Sequence, residues 1–169
     1  CALPIFVWLD TFEVSYHKSS EYQVIVTDRP FIAHFRYATV GKIGLENTHP
    51  FECGQNRNEL LMMNGTIKDL GNANECDTKV LARDVLGNVS RRRWKSMLEE
   101  HPCRFVTINK RNRTYQIYNR HLWTEHEGIM YSKDNVLERN LVAVYGTLRK
   151  GNGNYYRFLS DSKYIGQGY

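Results

Sequence analysis

Long apolar runs are missing from this chain of 169 residues. No stretch reaches the roughly 20 residues a helix needs to cross a bilayer, and Ala2–Leu9 is too short and too poorly flanked for a signal peptide. Cysteine is scarce. Cys1, Cys53, Cys76 and Cys103 are too few for a disulfide scaffold, and they lack the paired spacing of zinc ligands. The histidines complete no ligand motif with them. Internal repeats and low-complexity linkers are also absent. These absences direct the reading away from membrane-spanning, disulfide-stapled and structural-zinc proteins. They leave a cytoplasmic protein with reduced thiols and no membrane partner as the expectation.

What is present is an ordinary globular composition, 41% hydrophobic and 24% charged, enough for one domain or for one domain and a fragment. The net charge of +5 is spread along the chain. Its one dense run, Arg91-Arg92-Arg93 with Lys95, reads as a solvated helix face, which argues against nucleic acid as a partner. Glycosylation-type triplets begin at Asn64, Asn88 and Asn112 and are taken as accidental, because no targeting segment accompanies them.

Apolar runs between polar turns predict strands near Pro4–Leu9, Tyr22–Thr27, Phe31–Tyr37 and Glu59–Met63. From Asp77 to Leu86 the period turns helical, with Cys76, Val80, Leu81 and Val85 as the apolar stripe and Gly87 at the cap position. A second helix is expected from Ser90, with Trp94, Met97 and Leu98 on one face, ending before His101-Pro102. Cys103–Ile108 and Thr114–Tyr118 flank a polar turn and predict a hairpin. Strands near Gly128–Tyr131 and Leu141–Tyr145 follow. Strands, then two helices, then strands suit an α+β layered fold better than alternating units with a parallel sheet.

One residue stands apart. A cysteine with a free α-amine combines a thiol nucleophile with a base whose pKa lies near 8. Taken alone, Cys1 reads as the residue left by removal of a starting methionine. Downstream, however, come His34-Phe-Arg-Tyr-Ala-Thr-Val-Gly41, Asn47-Thr-His-Pro50, Met63-Asn-Gly65 and Glu75-Cys-Asp-Thr-Lys79. In this order, behind Cys1, they resemble the N-terminal-cysteine glutamine amidotransferases, a branch of the N-terminal-nucleophile hydrolases, over residues 1–135. Ala2, Val40 and Met63 depart from residues usual in that family.

The resemblance implies an αββα sandwich of two antiparallel sheets and hydrolysis of glutamine or a γ-glutamyl amide. Cys1 would attack the γ-carbonyl with its own amine as base. Asn64 and Gly65 would form the oxyanion hole. Arg36 would bind the substrate α-carboxylate, Thr39 would add a hydroxyl, and Asp77 would accept from the α-ammonium group. Each residue also has a plainer role. Arg36 reads as a surface charge, Asn64-Gly65 and His49-Pro50 as turns, and Asp77 as a helix N-cap.

Beyond the polar stretch Lys133–Asn140, the segment Val144-Tyr-Gly-Thr-Leu-Arg-Lys-Gly151 resembles the start of the γ-glutamyl cyclotransferase family. In that resemblance Tyr145, Gly146, Thr147 and Leu148 form a turn presenting backbone N–H groups to a γ-glutamyl moiety. That family's catalytic glutamate lies further along than this sequence extends. The expected division is therefore an amidotransferase-like domain over 1–138. Residues 139–169 are then either the start of a cyclotransferase-like domain or closing strands of the first. A small-molecule substrate is implied, with ammonia released or passed to a separate acceptor or synthase protein. The competing reading is a non-catalytic module that binds a γ-glutamyl ligand or a partner through the same pocket.

Overall fold

Apolar residues at consecutive positions, as in Ile5-Phe6-Val7 and Leu60-Leu61-Met62-Met63, require a strand covered on both faces. The computed structural model describes residues 4–17, 27–36 and 39–133, and there both runs are strands buried in both directions. The chain divides into two compact units, Cys1–Lys133 and Asp134–Tyr169. The second lies outside the described residues, as do the strand expected at Leu141–Tyr145 and the turn Tyr145–Leu148.

The described fold is mixed α+β, with three antiparallel sheets and two short helices. Strands β1 (Pro4–Trp8), β2 (Val14–Tyr16) and β3 (Phe31–Phe35) form a sheet ordered β2-β1-β3. Strands β4 (Phe51–Cys53), β5 (Glu59–Asn64), β6 (Arg104–Asn109) and β7 (Thr114–Tyr118) form a second sheet in chain order. A separate hairpin pairs β8 (Thr124–His126) with β9 (Ile129–Tyr131). The expected hairpin over 103–118 is present as β6 and β7. Sequence periodicity misses β2, β4 and β8, each three residues long. Of the strand expected at Tyr22–Thr27, only Thr27 is described, and it lies in no strand.

Between β5 and β6 come α1 (Asp77–Val80), continued by a π turn over Leu81–Val85, and α2 (Trp94–Glu99), entered through a 3-10 turn over Arg91–Arg93. In the π turn the Leu86 N–H donates to the Leu81 carbonyl at 2.9 Å. The extra residue shifts the apolar stripe. Cys76, Leu81, Ala82 and Leu86 are buried, whereas Val80 and Val85 are only partly so. Gly87 is no left-handed cap. It is small because a Cβ there would stand 2.3 Å from the Arg83 carbonyl oxygen.

Alternation along β5 and β6 sorts the core into two halves. Leu61, Met63 and Phe105 pack with Leu81, Leu86, Trp94 and Leu98 of the helical layer. Leu60, Met62, Val106 and Ile108 pack with Val7 of β1, with Val14 and Ile32 beside them. Helices, the four-stranded sheet and the three-stranded sheet are thus stacked in that order. The outer face of the three-stranded sheet carries an aromatic cluster of Phe6, Trp8, Phe31 and Phe35. Among the described residues no helix covers it, and Phe35 is 63% exposed.

Candidate functional site

The C-terminal end of β5 gathers three distant segments. Asn64 is the last residue of β5 and pairs with Arg104. Gly65 follows with φ +136°, and a Cβ there would stand 2.6 Å from the Cys103 sulfur. Only glycine fits, for reasons of both backbone angle and space. The next residue, Thr66, places its hydroxyl 3.0 Å from that of Thr39. Ile67 then donates its backbone N–H to the Asp77 Oδ2 at 2.8 Å.

Asp77 is buried at the start of α1, and its Oδ1 accepts the Thr78 N–H at 2.8 Å. The N-cap position belongs to Cys76, in extended conformation, so Asp77 is the first helical residue rather than the cap. Both carboxylate oxygens are engaged by backbone amides, which ties the turn after β5 to the helix.

Arg36 follows β3 directly and is 8% exposed, so it is not a surface charge. Its Nη2 donates to the Val40 carbonyl at 3.0 Å. Two glycines bring the neighbouring segments close together. Gly41 (φ +74°) and Gly71 (φ +87°) approach the backbone nitrogens of Cys76 and Asp77, leaving no room for a Cβ. Asn47 completes the clasp from a fully buried position. Its Nδ2 donates to the carbonyls of Lys42 and Asn74, and its Oδ1 accepts the Cys76 N–H. Sequence reasoning placed Asn47 in a motif without assigning it a role. The role is structural, because one carboxamide satisfies three backbone groups from two loops.

Behind this end lies a pair of histidines. His34 on β3 donates from Nε2 to the Met63 carbonyl at 3.1 Å, linking the two sheets. Its ring lies against that of His49, tilted by 33° with centroids 4.0 Å apart, and His49 meets Phe51 edge-on at 5.0 Å. The Nδ1 of His34 and both ring nitrogens of His49 are buried without a hydrogen-bond partner. Burial is the main force pushing both rings below their ordinary pKa. The Arg36 charge adds to it in each case, and His34 adds to it for His49, which falls furthest. Among the described residues no three His, Cys, Asp or Glu side chains converge as metal ligands would.

Arg36, Thr39, Asn64, Gly65 and Asp77 are therefore brought together from segments that begin, in sequence, as much as 41 residues apart (77 minus 36). The segments are linked through Val40, Thr66 and Ile67, and among the described residues Arg36, Asn64 and Asp77 make no direct hydrogen bond to one another. Cys1 lies outside the described residues. The other three cysteines are buried free thiols. Burial raises all three, and for Cys53, with the nearby Glu59 carboxylate adding to it, the pKa reaches about 12. Arg91 of the basic run is committed elsewhere. It pairs with Glu59 at 2.9 Å and lies 4.7 Å over the Trp94 ring.

No family model, curated protein or solved structure matches this chain. Among the described residues no helix is long and apolar enough to cross a membrane.

Proposed function

We propose that the chain hydrolyses glutamine or a related γ-glutamyl amide with Cys1 as nucleophile. The observation that supports this most is the convergence of Arg36, Thr39, Asn64-Gly65 and Asp77 at one end of β5. No local turn or cap requires these residues to meet. The register also pairs Pro4 with Phe35, next to Arg36. Three residues of chain, with a reach of about 10 Å, join Pro4 to Cys1.

In this reading the Cys1 thiolate attacks the γ-carbonyl carbon, and its α-amine takes up the thiol proton. The Asn64 carboxamide and the Gly65 N–H stabilise the oxyanion. The amine returns its proton to the departing ammonia as the C–N bond breaks, leaving a γ-glutamyl thioester. Water then hydrolyses the thioester to the γ-carboxylate and regenerates the thiol. Arg36 and Asp77 hold the α-carboxylate and α-ammonium groups, with Thr39 as an additional donor. No cofactor takes part. The reading carries with it an αββα sandwich, a cytoplasmic location, an acceptor or synthase on a separate protein, and a γ-glutamyl-binding turn at Tyr145–Leu148 in a second module.

One observation favours a binding module instead. Both Asp77 oxygens and one Arg36 nitrogen already serve the fold, so these residues have structural work without any substrate.

A glutamine-mimicking diazoketone separates the readings. It is expected to add its mass to Cys1 alone, because the raised pKa values of Cys53, Cys76 and Cys103 keep them protonated. Ammonia release from glutamine should accompany labelling and vanish in Cys1→Ala. Failure to label a Cys1 that carries a free amine sinks the nucleophile role. Labelling without ammonia release leaves only the binding module.

A further inference from the structure

A cavity opens at the other end of β5. Glu59 lines it while Asn64 ends the strand at the first site, a separation of roughly 16 Å at strand rise. Its volume is about 370 Å³, within the range of small-ligand sites. The turn between β4 and β5 and the turn between β6 and β7 form its walls. They are fixed to each other by the Lys110 N–H, which donates to the Asn58 carbonyl at 3.1 Å. The second turn is also fixed internally, the Asn112 N–H donating to Asn109 Oδ1 at 2.8 Å.

The lining is rich in carboxamides. Gln55, Asn56, Asn58, Asn109 and Asn112 all border the cavity. Apart from Asn109 Oδ1, none of their side-chain atoms makes a hydrogen bond among the described residues. Each carboxamide offers a donor and an acceptor on one rigid plane, matching the donor–acceptor character of adjacent hydroxyl groups. Two charges of the lining cancel, since Glu59 is paired with Arg91. Arg111 is a lining cation with no carboxylate partner among the described residues, so the site carries one uncompensated positive charge.

Trp94 borders the same cavity but offers no stacking surface. It is 1% exposed, Arg91 lies over its ring, and a Cβ on Gly54 would stand only 3.4 Å from its edge. Without an exposed aromatic face, a nucleobase gains nothing here from stacking. The Trp94 Nε1–H has no acceptor among the described residues.

We propose that this cavity binds a phosphorylated monosaccharide, the hydroxyls meeting the carboxamides and the phosphate meeting Arg111. The inference stands independently of the reading given to the first site.

Isothermal titration of the full chain with glucose 6-phosphate and ribose 5-phosphate tests it, with glucose and inorganic phosphate as controls. At least one sugar phosphate is expected to bind with 1:1 stoichiometry, tenfold or more tighter than either control. Arg111→Gln should abolish the preference over the unphosphorylated sugar. The double variant Asn58→Ala/Asn112→Ala should weaken binding at least tenfold without moving the thermal midpoint, because neither side chain supports the fold. Cys1→Ala should leave the titration unchanged. The proposal is overturned if neither sugar phosphate saturates, if phosphate alone binds as tightly, or if the cavity variants bind like the parent chain.

Discussion

Asn47 and Gly65 show how much single residues carry at the first site. Replacing Asn47 with alanine leaves the buried Cys76 N–H and two part-buried carbonyls without their partner. Each lost partner costs on the order of 1 kcal/mol or more, so N47A is expected to lose roughly 3 kcal/mol. Gly65→Ala meets both a forbidden backbone angle and the Cys103 sulfur, and is expected to lose about 2 kcal/mol or more. Urea denaturation of both variants checks this, and losses below about 1 kcal/mol would contradict the packing described. These two residues also show what a sequence discloses at this scale. An Asn-Gly pair after an apolar run is visible as a turn, and its glycine is then obligatory for a reason, Cys103, that lies 38 positions away (103 minus 65). Asp77 is visible as a residue opening a helix. That its carboxylate would reach back to Ile67 depends on how the loop between them folds.

The element whose behaviour follows most directly from its surroundings is the contact of β3 with the segment His49–Phe51. His34 and His49 are both held below the ordinary imidazole value near 6.5, His49 well below it. The folded state therefore binds fewer protons than the unfolded chain. Stability is fully present above about pH 6.5 and declines as pH falls, by up to about 1.4 kcal/mol per pH unit for each ring. Denaturation midpoints at about pH 7.5 and about pH 5.5 should reveal the decline, and His49→Phe should flatten it. An unchanged slope in H49F would mean that other groups dominate. The helices teach a related lesson. The sequence period marks a helix from Asp77 to Leu86, but the π turn slips the buried stripe to Leu81, Ala82 and Leu86. The stripe is chosen by which side chains reach the sheet, a tertiary demand that outweighs ideal periodicity.

At the scale of the whole molecule, both cores described here are built from residues between Phe51 or Val7 and Trp123. A fragment covering residues 1–133 is therefore expected to fold and to unfold in one cooperative thermal transition. A broad, non-cooperative melt would instead indicate that residues 134–169 complete the first unit, the alternative left open by the sequence. The exposed ion pairs contribute little to this stability. Among the described residues they lie mostly at the surface, where screening and side-chain entropy offset the attraction.

Composition and periodicity by themselves determined the α+β class, the strands β1, β3 and β5, the β6–β7 hairpin and the two helices between β5 and β6. These depend on spacing along the chain, which a sequence displays directly. The order of motifs also nominated Arg36, Thr39, Asn64, Gly65 and Asp77 as one group. Only the tertiary structure decided that they stand at one end of β5, that Arg36 is buried, that Asn47 clasps the loops, and that a polar cavity opens at the strand's other end. Such features depend on contacts between residues far apart in the chain. Those contacts are fixed by sheet register and core packing, which no local pattern encodes.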